Sequence, residues 1–281
     1  MRKNLIKYDW KTKTTKSFLT ENLVIHFLLR QLKPTVKKKL FGSFPYLIGV
    51  NSGANTSQFE GHEIARYVWK YKPKFKQYVI FDIGSHKGNW SMGFAKFFMS
   101  KNLEKIQIVT VDPQIEPLNL INWLSTKKSY EEELCAHSHY KIALNDVFDS
   151  VFFDNERVVK GISEGSQVIK SIPLDFFILS NGYIREEADI WIMKLDIEGL
   201  EYRVLRESKF LREFQIIQFE ISPYSFDDFE NIDKLSEIFE EHFHLFVVSA
   251  NGLLETDFGS LNRTINKFGV TNLVAVQKSN E

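Results

Sequence analysis

The sequence has a single cysteine, Cys135, so no disulfide can form within the chain and its stability has to come from a buried core. Its 281 residues are enough for one large domain, or for a core domain with an extension. Long apolar runs are missing as well. The richest stretch near the start, 22–29, is interrupted by His26 and falls far short of the roughly 20 residues a membrane-spanning helix needs. Residues 1–16 are polar and lysine-rich with no apolar h-region, which predicts no cleaved secretory signal and, with the lone thiol, a cytoplasmic protein. There is no internal repeat and no low-complexity tract. The chain also lacks a Gly-rich loop closing on Lys-Ser/Thr for nucleoside triphosphates, and a Gly-x-Ser-x-Gly nucleophile elbow.

Net charge is absent overall but not locally. Residues 1–77 carry 16 Lys/Arg against 4 Asp/Glu, and the remainder carries 20 against 32. Such a basic segment beside an acidic body predicts one of two things. Either the two complement each other, or the basic part meets an anionic acceptor or a membrane surface, placing the protein at the membrane periphery. Nucleic acid is not expected, because no recognised binding motif accompanies the charge.

From residue 77 onward short apolar runs alternate with helical stretches, the pattern of successive βα units on a parallel sheet. The runs predict core strands at 78–83, 106–112, 140–144, 190–196, 214–221, 245–249 and 271–277, with helices at 90–100, 116–128, 201–207 and 232–242. Between the third and fourth strands, 147–178 reads as a β-insertion with strands at 150–154 and 167–173. Before the core, 17–32 and 58–71 read as helices flanking a turn-rich loop at 49–57. The expectation is an α/β fold: a Rossmann-like, doubly wound seven-stranded sheet with helices on both faces, a β-insertion, and an N-terminal helical extension over 1–77.

The first predicted strand runs through Asp82 into Gly84-Ser-His-Lys-Gly88 and then directly into a helix, which turns backbone N–H groups toward a ligand. Gly84 permits the tight turn, and Gly88 permits close approach of ligand to backbone. The second strand ends in Asp112, 24 residues after Gly88, where a carboxylate can accept two ribose hydroxyls. Together these point to an adenosyl cofactor. The G-x-x-x-G spacing differs from the dinucleotide G-x-G-x-x-G. Asp82 suits a cationic sulfonium amino acid better than a pyrophosphate. S-Adenosylmethionine is therefore favoured over NAD, and an NAD-linked oxidoreductase is the lesser alternative. A catalytically inert module of the same fold is the other.

In order along the chain, Phe81-Asp-Ile-Gly-Ser-His-Lys-Gly88, Val111-Asp-Pro113, Ile142-Ala-Leu-Asn-Asp146, Ile172-Pro-Leu-Asp175, Met193-Lys-Leu-Asp-Ile-Glu-Gly-Leu-Glu201 and Gln218-Phe-Glu-Ile221 resemble the FkbM family of class I methyltransferases. The resemblance covers about 78–250, and the Lys-x-Asp-x-Glu-Gly-x-Glu run is its most specific piece. It implies S-adenosylmethionine as cofactor and O-methylation of a glycan or a small natural product. It implies donor contacts from Asp82, Gly84, Ser85, His86, Gly88, Asp112 and Pro113, with Ala143 and Leu144 flanking the adenine and Asn145 or Asp146 bonding its amino group. The chain departs from the family in having His86 where Asn is usual and Asp112 where Glu is usual.

The fourth strand carries Lys194 and, two residues on and so on the same face, Asp196. A lysine inside a buried strand needs a partner. Glu198 and Glu201 follow, and Glu220 closes the fifth strand. These groups are expected to converge at the carboxyl ends of the strands, where parallel sheets bind ligands. An alcohol acceptor must lose its proton, so Asp196 or Glu198 is read as a base, with Lys194 holding Asp196. Alternatively, Asp196 and Glu220 share a divalent metal (Mg or Mn) that acidifies the hydroxyl. Cys135-Ala-His-Ser-His139 offers three candidate ligands without an evident fourth and reads as a polar lead into the third strand.

Overall fold

The computed structural model describes residues 54–71, 77–100, 105–126, 135–154, 157–159, 167–186, 189–221, 231–249, 252–259 and 271–278. The helix expected at 17–32, the loose segment 1–16 and most of the loop at 49–57 lie outside the described residues. The loop's last residues belong to a helix that starts at Ala54. None of the described helices is long and apolar enough to cross a membrane.

In chain order the strands of the central sheet are β1 (Gln77–Ile83), β2 (Lys105–Val111), β3 (Cys135–Tyr140), β8 (Asp189–Leu195), β9 (Ile216–Ile221), β10 (Phe243–Ser249), β11 (Gly252–Thr256) and β12 (Thr271–Gln277). They lie in the order β11-β10-β12-β9-β8-β1-β2-β3. The block from β9 to β3 is parallel; β12 joins β9 antiparallel, and β10 pairs antiparallel with both β12 and β11. The chain moves outward from β1 through β2 to β3, then returns to the other side of β1 as β8. That reversal leaves a crevice at the carboxyl ends of β1 and β8, the place where doubly wound sheets take ligands.

The helices are α1 (Ala54–Tyr71), α2 (Asn89–Met99), α3 (Leu118–Ser125), α4 (Leu174–Ser180), α5 (Glu201–Glu207) and α6 (Asn231–Phe239). Strand alternation sorts them between the two faces. Val79, Phe81 and Ile83 of β1 join a cluster with Leu174 and Phe177 of α4, Leu205 of α5 and Phe239 of α6. Tyr78 and Ile80 face the other way, onto Ile64 and Val68 of α1, Phe94 and Phe98 of α2, and Leu120 of α3. Every residue of β8 is buried, as a strand covered on both sides requires.

Helices α1 and α2 meet backbone to backbone. A Cβ on Gly61 would lie 2.1 Å from the Trp90 carbonyl oxygen, and one on Gly93 would lie 2.0 Å from that of Gln58. The two glycines permit this approach and seat α1 tightly on the sheet.

Three expectations are corrected. The third core strand is Cys135–Tyr140, not 140–144, so the segment read as a lead is the strand itself. It is an edge strand with a polar face: the Thr110 hydroxyl bonds His137 Nε2 at 2.8 Å and His139 Nδ1 at 3.1 Å, which a search for apolar runs overlooks. Residues 143–145 form β4 of a second sheet of order β4-β7-β5-β6, with β5 at Asp149–Asp154, β6 at Arg157–Val159 and β7 at Gln167–Pro173. The end of the expected insertion is helix α4, which opens after Pro173 with Asp175 in its first turn. The seven expected core strands are joined by β11, a short hairpin partner of β10.

Candidate active site

Five polar groups share the apolar face that α1 and α2 cover. Asp82, Lys194 and Gln218 are in register across β1, β8 and β9, and Asn272 of β12 lies opposite Glu220. Lys194 is 5% exposed and ties three pieces of backbone together. Its Nζ donates to the Gly84 carbonyl at 2.7 Å and lies 3.1 Å from Asp196 Oδ2 and 3.6 Å from Asp82 Oδ1. Burial opposes its charge, but Asp196 and Asp82 outweigh that and hold its pKa above the ordinary lysine value. Asp82 is fully buried, and burial raises its pKa against the attraction of Lys194. Its Oδ2 accepts the Ser91 hydroxyl at 2.6 Å. The expected convergence of Lys194 and Asp196 is present.

The loop from Gly84 to Gly88 is held from beneath. Gly84 and Ser85 both donate to the Val111 carbonyl, at 2.7 and 3.2 Å. Gly84 has φ of 74°, and a Cβ there would sit 1.7 Å from the Asp196 carbonyl oxygen, so only glycine fits. His86 adopts φ of 46° without being glycine and donates its backbone N–H to Asp112 Oδ2 at 2.9 Å. Asp112 Oδ1 accepts from the backbone of Gln114 and Ile115 at 2.9 and 2.8 Å. Three backbone donors thus occupy most of the lone pairs read as free for ribose, leaving room for one further donor. Gly88 makes space for Leu120 and Pro117, whose Cβ atoms would be 2.7 and 2.9 Å from its own, and not for a ligand.

Beyond β8 the chain turns through Glu198 (φ 56°) and Gly199 (φ 112°). Glu201, 1% exposed, holds that turn by accepting the N–H of Ile197 at 2.8 Å and of Gly199 at 2.9 Å. Burial lifts its pKa to about 7. Its role is to shape the turn.

A cavity of about 370 Å³ opens at this edge of the sheet. It is lined by the expected Gly84, Ser85, His86, Asp112, Pro113, Ala143, Leu144, Lys194, Asp196, Glu198 and Glu220. Asp82 lies behind the lining, under Lys194. Asn145 is buried beside it with no partner for Oδ1, and Asp146 turns to Arg206 at 3.7 Å, so neither lines the cavity. Burial pushes the Glu220 carboxyl up to about 8, with Asp196, Glu201 and Glu198 adding to the shift.

Sequence reasoning missed Glu60 and Asn272. Glu60 lies on α1, and its carboxylate accepts from Gln218 Nε2 and from Asn272 Nδ2, both at 2.9 Å. Gln218 in turn accepts the Trp90 indole N–H at 2.7 Å. Burial raises the Glu60 pKa to about 7 against those two bonds. One signal was available: Glu60, Ile64 and Val68 are spaced i, i+4, i+8, so the glutamate stands on the helix's apolar stripe.

Among the described residues no three His, Cys, Asp or Glu side chains converge as a metal site would require. One oxygen of Asp196, Oδ2, is paired with Lys194 at 3.1 Å.

The family described as Methyltransferase FkbM domain matches residues 82–247. No curated protein is a significant match. Among solved structures, the methyltransferase FkbM from Methylobacillus flagellatus KT shares 12% identity at a TM-score of 0.41, over 92% of this chain and 60% of its own length. The plantazolicin methyltransferase BpumL, solved with a monoazolic desmethylPZN analogue and S-adenosylhomocysteine, shares 11% at 0.40, over 94% and 98%. The CurJ carbon methyltransferase shares 11% at 0.42, over 94% and 70%. None of these likenesses is close enough to carry a substrate or a mechanism across.

Proposed function

The chain belongs to the FkbM methyltransferase domain family, a family of S-adenosylmethionine-dependent enzymes, and from that premise we propose that it methylates a hydroxyl oxygen of a glycan or small natural product. The observation that carries the reading is the single cavity joining the Gly84 loop and Asp112 to a row of carboxylates. The residues present suit an adenosyl donor. Gly84 presents bare backbone, and Ser85, 4% exposed, has a hydroxyl with no protein partner. Pro113, Ile115, Ile142, Ala143 and Leu144 supply apolar walls for a flat base. When bound, the donor supplies an electrophilic methyl group on a sulfonium.

What this chain supplies is alignment and a place for a proton. Asp196 has Lys194 as its counter-charge at 3.1 Å, so it serves best as a fixed hydrogen-bond acceptor that orients the incoming hydroxyl. Glu220 forms no ion pair with a lysine or arginine among the described residues, and burial, against the weaker pull of Lys194, raises its pKa to about 8, which suits proton uptake near neutrality. Glu220 is therefore the preferred base, ahead of Asp196. Hydroxyl-rich acceptors agree with such a wall, because carboxylates accept the hydrogen bonds that sugars donate. The basic segment within 1–77, most of which lies outside the described residues, fits a role in meeting an anionic acceptor or a membrane surface.

The test is transfer of isotopic methyl from S-adenosylmethionine to a panel of glycans and alcohols, with product linkage read by mass spectrometry. Ether products lost in Glu220→Gln but retained in Glu201→Gln support the proposal. Methylation on carbon or nitrogen refutes its oxygen specificity.

A further inference from the structure

Glu60 precedes the family match at 82–247, yet α1 delivers its carboxylate to the same cavity. Its seating is firm: Gly61, the next residue, is where α1 touches the Trp90 backbone. Gln218 and Asn272 hold one oxygen each. Both donors are neutral amides. The nearby ammonium, Lys194, is already committed to the Gly84 carbonyl, Asp196 and Asp82.

The cavity consequently holds a charge imbalance. Glu60, Asp112, Asp196 and Glu220 line it, and among the described residues Lys194 is the one lysine or arginine in the lining. Partly desolvated carboxylates that outnumber the cations beside them are costly, and they retain protons or attract a cation. A separate observation also points to a ligand. Ser85 lines the same cavity, is 4% exposed, and its hydroxyl has no partner in the protein.

We propose that Glu60 is a donor-contacting residue whose carboxylate takes an onium group of the methyl donor, either its sulfonium or its ammonium. The inference rests on the donor reading above and adds to it a contact from outside the matched domain. The groups facing Glu60 are Lys194 from β8 and Asp196 just beyond it, Gln218 and Glu220 from β9, Asn272 from β12, and Trp90, through Gln218, from α2. Without ligand, burial keeps the Glu60 carboxyl protonated up to about pH 7. An arriving cation favours the charged form, so it displaces that proton, and its affinity rises as pH climbs through this range.

Calorimetry on the full chain separates the possibilities with three probes. S-Adenosylmethionine carries sulfonium and ammonium, S-adenosylhomocysteine carries ammonium alone, and 5′-methylthioadenosine carries neither. In Glu60→Gln the charged probes are expected to weaken about tenfold, the equivalent of one pKa unit, while methylthioadenosine is unchanged. A loss confined to S-adenosylmethionine assigns the sulfonium; a loss shared with S-adenosylhomocysteine assigns the ammonium. Wild-type binding near pH 7 is also expected to release protons, seen as heats that vary with buffer ionisation enthalpy. Equal weakening of all three probes, or none, overturns the proposal and leaves Glu60 a brace for α1. If Glu60→Gln does not fold, absence of proton release in the wild type overturns it by itself. A wild-type chain that binds none of the probes refutes the donor reading instead.

Discussion

Lys194→Met is the sharpest test of how the site is held together. The substitution keeps an unbranched side chain of similar length on a fully buried strand, so packing changes little. What it removes is the charge 3.6 Å from Asp82 and 3.1 Å from Asp196, and the donor to the Gly84 carbonyl. Asp196 can turn to water in the cavity, but Asp82 is 0% exposed and cannot. Breaking a buried pair from one side destabilises by about 3–5 kcal/mol. For a domain of this size that corresponds to a fall in Tm of roughly 6–20 °C. The pH dependence has a definite sign. Burial already raises the Asp82 pKa and Lys194 restrains it, so removing Lys194 raises it further. A carboxyl with a raised folded pKa retains its stability in acid and loses it as pH rises through that pKa. The deficit is therefore expected to be smallest below the ordinary aspartate pKa of about 4 and to grow as pH rises, in thermal melts followed by circular dichroism. Asp82→Asn, added to Lys194→Met, is expected to recover a large part of it, because the orphaned charge is then gone. A melting temperature unchanged at pH 8, or a deficit that grows in acid, would falsify this account.

Asp112→Ala removes an acceptor shared by His86, Gln114 and Ile115, each charge-assisted bond being worth roughly 1.5–3 kcal/mol. Calorimetry is expected to show S-adenosylhomocysteine binding weakened at least about tenfold. Full affinity with only a lowered Tm would mean that Asp112 braces the loop and touches no ligand. Gly61→Ala forces a Cβ to 2.1 Å from the Trp90 carbonyl and is expected to cost about 1–3 kcal/mol of stability by overpacking. The control is Gly182→Ala, where φ is 69° but no atom lies within 4 Å; comparable losses in both would show that the helix contact is slack. Because no three metal-donor side chains converge among the described residues, methyl transfer is expected to persist in EDTA. Activity lost to the chelator and restored by Mg²⁺ would reverse that conclusion.

The parts legible in the sequence are those where burial and chemistry coincide on one strand. β1 and β8 are continuous apolar runs ending in Asp82-Ile-Gly84 and Lys194-Leu-Asp196, so their position, direction and polar ends could all be read. β3 could not, because an edge strand need not be apolar and Cys135, His137 and His139 show no hydrophobic period. The division of 140–145 between two sheets was equally invisible, since both halves are short and extended. Asp112 ends an apolar strand and lines the cavity, but its engagement with three backbone donors depends on how the chain folds back after it. Glu60 depends on a contact across 158 residues with Gln218, which no local pattern encodes.

The pairing of β4 with β7 has a consequence for how such enzymes can diversify. Ala143 and Leu144, which wall the cavity, are hydrogen-bonded along Ser171 and Ile172, and Pro173 leads straight into α4. The wall and the inner strand of the appended sheet are therefore one inherited piece. β5 and β6 lie farther out in that sheet, so variation can accumulate there without disturbing the wall. Exchange of the whole insertion between relatives would instead transplant part of the pocket with it. Exchanging β5 and β6 alone, with junctions between β4 and β5 and between β6 and β7, would spare the wall, whereas a single junction anywhere between β4 and β7 would divide it between two parents.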